Sequence, residues 1–149
     1  MKITLNENGL KSRSMSARIQ EVMDEKVKPK VKARLIEIAG TLTALSPVWS
    51  GAYVTSHSFV PSGSGSGRMR KSSLDAGPVD VNGARGDGFN QLVSDINSFD
   101  FMEKGGIFRN RSPHSRAVED GGVTPTGKQI PAYNVYRTAA ARARAKGSI

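Results

Sequence analysis

Apolar residues recur every three or four positions from about Ser14 to Leu45: Ile19, Val22, Met23, Val27, Val31, Leu35, Ile38, Leu42 and Leu45. That spacing puts them on one face and predicts a long helix. Ser14 or Ser16 is the candidate N-cap. Pro29 interrupts the run. It has no amide hydrogen and its ring crowds the preceding turn, which costs about 3 kcal/mol inside a helix. The stripe keeps its phase across Pro29, so a kink is expected there rather than a new helix starting near Lys28. Ser46-Pro47 ends the helix, because the residue before a proline is pushed out of the helical region. Residues 1–13 read as an N-terminal arm, either a short strand or a disordered end, with a turn at Asn6-Glu7-Asn8-Gly9.

The period then changes. After Gly51, Tyr53, Thr55, His57 and Phe59 alternate with Ala52, Val54, Ser56, Ser58 and Val60, which predicts a strand of about nine residues. Trp49, the only tryptophan, stands in the turn between helix and strand and is expected to pack across that junction. His57 reads as an ordinary strand residue. Residues 61–86 read as an extended loop or hairpin leaving the body. They begin with the linker-like run Pro61 to Gly67, go on to the basic group Arg68-Met69-Arg70-Lys71, and hold a turn signal at Asn82-Gly83. A second helix is expected from Asp87, its candidate cap, to Phe99, with Phe89, Leu92, Val93 and Ile96 in one stripe.

From Gly105 to Gly122 the chain reads as a short strand ending at Asn110, a bend at Ser112-Pro113 and a short return segment closed by Gly121-Gly122. Residues 123–131 form a loop. The last helix is expected from about Ala132 to Ala145, with Pro131 just before it and residues 147–149 as a tail. Helices at both ends and short strands between them make a single α+β domain. Its long N-terminal and C-terminal helices pack on a small antiparallel sheet.

Composition adds two constraints. Apolar residues are 37% of the 149, so the core is modest and stability is expected to come partly from neighbouring subunits. The net charge is +9, and it is uneven. Residues 1–45 carry net +4, residues 46–108 net −1 and residues 109–149 net +6. Basic ends suit nucleic acid or an acidic protein surface, and they equally suit a solvated face. Basic residues in the last turn of the final helix, Arg142 and Arg144, also favour its dipole.

Chemistry is poorly supplied. With no cysteine, disulfides, cysteine-zinc sites and thiol catalysis are excluded. The two histidines, His57 and His114, have no partners at metal-ligand spacing. The acidic residues form no pair patterned for acid-base work, and no nucleophile elbow or phosphate-binding loop is present. No catalytic, cofactor or metal residues are assigned, and the chain is read as not an enzyme. Met1 to Leu10 lacks the apolar core of a signal peptide, and no run approaches the roughly 18 apolar residues of a membrane span.

The order of these parts carries a resemblance. Ser46-Pro47-Val48-Trp49-Ser50-Gly51 follows the first helix, and Asn110, Pro113, Glu119 and Gly121 punctuate the stretch before the last one. The chain resembles the tail-completion and neck proteins of tailed bacteriophages, the family of lambdoid minor tail components, over roughly residues 15–145. That family shows a Pro-x-Asp-Thr-Gly turn, a strand ending in Asn, a Pro-Tyr-Ala-like turn and a Glu-x-Gly close. Pro47 and Gly51 match the first motif, with Trp49-Ser50 where Asp-Thr is usual. Asn110, Pro113, Glu119 and Gly121 match the second, with His114-Ser115 in place of Tyr-Ala. The resemblance implies a structural virion subunit that assembles with itself as a ring, most often a hexamer. The ring would complete the tail in the neck and join it to the head connector and the tail tube or sheath, with DNA passing through its lumen. It also implies assembly in the host cytoplasm, no cofactor and no membrane. Interface roles then fall on Pro47, Trp49, Gly51, Asn110, Pro113, Glu119 and Gly121. Contacts to DNA or a partner fall on Arg68, Arg70, Lys71, Arg142 and Arg144. The alternative is a small basic protein that binds nucleic acid without reading sequence.

Overall fold

The structure is a computed structural model that describes residues 7–69, 79–100, 104–123 and 126–147. Arg70 and Lys71, residues 1–6 of the arm and residues 148–149 of the tail lie outside them. The fold is α+β, as expected. The chain runs α1 (Glu7–Val22), a π turn (Met23–Val27), α2 (Lys28–Leu45), α3 (Ala52–Thr55), β1 (His57–Pro61), α4 (Val81–Ser98), β2 (Gly106–Asn110), α5 (Ser115–Asp120), β3 (Gly122–Val123), β4 (Gln129–Ile130) and α6 (Val135–Ala145).

The first helix starts at Glu7, inside the stretch read as an arm, so neither Ser14 nor Ser16 caps it. Where a kink was expected at Pro29, a π turn stands just before it and α2 starts at Lys28. There the Lys28 amide bonds to the Met23 carbonyl, five residues back. The widened turn leaves Pro29 in the first turn of α2, where its missing amide hydrogen costs little. Helix α2 then forms the spine. Leu42 packs with Tyr53, Val118, Val135 and Ala139 on one side, and Ala39 packs with Phe59, Leu92 and Ile96 on the other. Phe108 borders both clusters. Helix α6 is held to the spine at its far end by Arg34, which donates to the carbonyls of Ala143 and Gly147.

The nine-residue strand expected after Gly51 is instead one turn of helix followed by a shorter strand. Gly51 takes a left-handed φ of 74°, open to glycine at little cost. Thr55 Oγ1 then donates to the Gly51 carbonyl at 2.8 Å, and Ser56 Oγ to the Ala52 carbonyl at 2.6 Å. These hydroxyls satisfy the backbone locally, which competes with a sheet ladder. Strand β1 pairs antiparallel with β2, placing His57 opposite Asn110 and Phe59 opposite Phe108.

The 61–86 segment also differs from expectation. Helix α4 begins at Val81, and Asp80 caps it rather than Asp87, accepting from Asn82 N at 3.3 Å and Gly83 N at 2.7 Å. The Asn82-Gly83 turn signal is therefore the first turn of a helix. Residues 62–69 fold back over the sheet rather than hanging free. Ser62 N donates to the Gly105 carbonyl at 2.7 Å, and Arg68 N donates to Ser58 Oγ at 2.8 Å. The Arg68 guanidinium grips Asp95 through two hydrogen bonds, at 3.0 and 2.6 Å, and Asp95 also accepts from Phe59 N at 3.0 Å. Arg68 is therefore a buckle between the loop, β1 and α4, and its charge is already paired.

Gly88 allows α4 to approach α3: a Cβ there would stand 2.6 Å from the Val54 carbonyl oxygen. Nothing lies within 4 Å of the same position on Gly86. Glycine to alanine inside a helix ordinarily stabilises by up to about 1 kcal/mol. Gly86→Ala is expected to gain that, whereas Gly88→Ala is expected to lose about 1–3 kcal/mol through the forced separation. Urea unfolding of both variants checks this, and a stabilised Gly88→Ala would contradict the packing.

Candidate functional site

The two motif stretches meet at one corner of the molecule. Gly51 starts α3, and the Tyr53 carbonyl of α3 accepts from Asn110 Nδ2 of β2 at 2.8 Å. Asn110 Oδ1 accepts from Ser112 N at 2.8 Å. That bond fixes which way the amide points, and it forms the turn leading to Pro113. Glu119 lies at the other end of the corner. Its Oε1 accepts from Tyr136 N at 2.9 Å and from the Tyr53 hydroxyl at 3.3 Å. The carboxylate therefore sits at the N-terminus of α6, satisfying an amide that has no partner within the helix. Gly121 follows with φ 76°, and a Cβ there would be 3.0 Å from the Ile130 carbonyl oxygen.

The centre of the corner is a residue that sequence reasoning passed over. His57 is 1% exposed and Ser46 is wholly buried. Ser46 Oγ lies 2.7 Å from His57 Nε2 and 2.7 Å from the Leu42 carbonyl oxygen. His57 Nδ1 lies 2.8 Å from the Tyr136 hydroxyl and 3.2 Å from Asn110 Nδ2.

These contacts determine the protons. Asn110 Nδ2 can only donate, so Nδ1 accepts, and the ring hydrogen is on Nε2. Nε2–H therefore donates to Ser46 Oγ, and the Ser46 hydroxyl donates to the Leu42 carbonyl. A serine and a histidine at this distance suggest a nucleophile and its base. Here the proton order is the reverse of that arrangement, since the serine hydrogen is held by the backbone. Burial lowers the His57 pKa from 6.5 to about 4 and raises the Tyr53 and Tyr136 hydroxyls well above the ordinary tyrosine range. The Glu119 charge raises both tyrosines further. The corner is thus a neutral, hydrogen-bonded knot beside one carboxylate. It joins the end of α2, α3, β1, β2 and the start of α6.

The remaining residues singled out from the sequence scatter around it. Pro47 is half-buried and Pro113 exposed in their turns. Trp49 is 79% exposed and does not pack across the helix junction as expected; the buried Tyr53 occupies that place in the core. Arg142 and Arg144 are exposed on the last turn of α6. Arg68 is tied to Asp95, as above. Ser46, Tyr53 and Tyr136 were missed along with His57. Ser46, Tyr53 and His57 lie within one stretch but at no spacing that announces a cluster, and Tyr136 lies seventy-nine residues from His57. Among the described residues, no helix is long and apolar enough to cross a membrane.

No family model, curated protein or solved structure matches the chain.

Two outcomes follow from the knot. The unfolded chain takes up the His57 proton near pH 6.5 and the folded chain only near pH 4. Acid therefore favours unfolding: the contribution of His57 is complete above about pH 6.5 and is lost as pH falls toward 4, by about 3 kcal/mol in all. Urea titrations across this range are expected to show that slope in the wild type and a shallower one in His57→Gln. Equal slopes would contradict a buried neutral histidine. Asn110→Ala removes the donor to the Tyr53 carbonyl and the turn bond to Ser112, and is expected to cost about 1–3 kcal/mol. Chemical denaturation checks it, and an unchanged midpoint would count against the corner.

Proposed function

We propose that the chain is a structural subunit of a tailed-bacteriophage virion, a ring-forming tail terminator or neck protein that completes the tail and joins it to the head connector. One observation carries the reading. Tyr53, in the helix that Gly51 starts, bonds to both Asn110 and Glu119 of the second motif stretch, so the two stretches behind the resemblance are tied at a single corner. Glu119 caps a helix there, and Asn110 bridges two backbone segments, so each does structural work. Rigid corners suit subunits that repeat around a ring. The exposed Arg142 and Arg144 supply positive charge, which attracts phosphate without reading sequence and suits a DNA conduit. The same charge favours a second reading, a nucleic-acid-binding protein that works alone.

Size-exclusion chromatography with light scattering at low and raised salt separates the two, together with pull-downs on phage tails and head connectors. The expected result is a closed oligomer, or capture by tails or connectors, with weak binding to free DNA. The contrary result is a persistent monomer that joins neither. Such a chain would bind duplex DNA with an affinity that falls about 1,000-fold between 50 and 200 mM salt, as expected for a protein using six phosphate contacts.

A further inference from the structure

An asparagine followed by a glycine is a reactive pair in water. The backbone nitrogen of the glycine attacks the side-chain carbonyl carbon of the asparagine. A carbon–nitrogen bond forms, the side-chain nitrogen departs as ammonia with the proton that the backbone nitrogen gives up, and a five-membered imide closes. One water then opens the imide. Opening at the side-chain carbonyl leaves aspartate in a normal backbone. Opening at the main-chain carbonyl leaves isoaspartate, whose backbone runs through the side chain and is one methylene longer. Water is the only co-reactant, and nothing is oxidised or reduced. Glycine favours the attack because no Cβ crowds its nitrogen.

Asn82-Gly83 is such a pair, and Asn82 is exposed in the first turn of α4. The fold selects the glycine, since a Cβ on Gly83 would stand 2.7 Å from Asp80 Oδ2. The cap therefore creates the reactive pair, and it also restrains it. Asp80 Oδ2 accepts from Gly83 N, the attacking nitrogen, at 2.7 Å, and Oδ1 accepts from Asn82 N at 3.3 Å. The Asp80 carbonyl accepts from Ala84 N at 3.0 Å. While these bonds hold, the Gly83 nitrogen keeps its proton and stays turned toward Asp80 rather than toward the Asn82 side chain. Attack requires the first turn to open. That turn bears on the motif corner: a Cβ on Gly51 would meet Ala84 Cβ and Val79 Cγ2, each at 3.5 Å, and Arg85 donates to the Ser46 carbonyl at 3.3 Å.

We propose that Asn82-Gly83 is a site of spontaneous deamidation that the Asp80 cap holds closed, so that opening of the start of α4 is recorded as a covalent change beside the Ser46–Gly51 turn. The isoaspartate product carries an extra methylene between the residues that the cap holds, so the first turn does not close again as before. The reaction needs no partner and holds whether or not the chain assembles.

Full-length wild type, Asp80→Ala and Asp80→Ser are incubated in mildly alkaline buffer. Peptide mapping by mass spectrometry then follows the exchange of amide for acid at Asn82. Asn8-Gly9, elsewhere in the same chain, is the internal reference, and wild type held in urea gives the unprotected rate. Asn82 is expected to react more slowly in the folded wild type than in urea. In Asp80→Ala it is expected to react about fivefold faster than in wild type, the extra opening allowed by loss of a cap of about 1 kcal/mol, with Asn8-Gly9 unchanged. Asp80→Ser, whose hydroxyl also caps a helix, is expected to return the rate toward that of wild type. An unchanged rate in Asp80→Ala would overturn the proposal. A slower one would overturn it too, because the carboxylate would then be the base of the reaction. Equal acceleration at both Asn-Gly pairs would assign the effect to global unfolding and refute the role of the cap.

Discussion

An imidazole with 1% of its surface exposed is tolerated only if both ring nitrogens find partners, since an unpaired buried polar group costs about 1–3 kcal/mol. At His57 those partners come from three places in the chain. Ser46 closes α2, Asn110 closes β2 and Tyr136 opens α6. None can shift without leaving a donor or acceptor unpaired. The apolar clusters on either side of α2 supply most of the burial, but apolar contacts have no direction and would allow neighbouring packings. The hydrogen-bonded knot selects one of them. Glu119 extends it outward by fixing the start of α6, and Arg68 does similar work on the far side of the sheet through Asp95.

Elements with strong periodicity were legible in the sequence. The three-to-four spacing from Ile19 to Leu45 marked the spine, and Ser46-Pro47 marked its end. The short strand ending at Asn110 was legible as well. Errors arose where two local signals competed. Ala52 to Val60 alternates like a strand but is buried on nearly every side, so its period carried little information. Gly51 and the Thr55 and Ser56 hydroxyls turned its first half into helix. Asn82-Gly83 reads as a turn until Asp80 is recognised as a cap whose carboxylate needs the space a Cβ at Gly83 would fill. The serine-glycine run after Pro61 has a linker's composition, yet the Arg68 ion pair and the bond from Arg109 to the Ser64 carbonyl tie it down.

The site was legible only in part. Asn110, Glu119 and Gly121 stand in a punctuated stretch that signals shape. His57 carries no such signal, because a lone histidine in an alternating run has no partner until the fold brings together residues eleven and seventy-nine positions away. Trp49 failed for the opposite reason. A single tryptophan in a junction is expected to fill it, but Tyr53 already does, which leaves the indole on the surface. Outside the modest core and the polar corner, Met15, Ile19, Val22 and Trp49 stand exposed.

Nitrogen NMR of the His57 ring tests the knot most directly. A neutral ring is expected, with its hydrogen on Nε2 and an unprotonated Nδ1, unchanged from pH 8 down to about pH 5, because burial holds its pKa at about 4. A hydrogen on Nδ1, or a ring that becomes charged between pH 7 and 6, would contradict the proton order on which the corner depends.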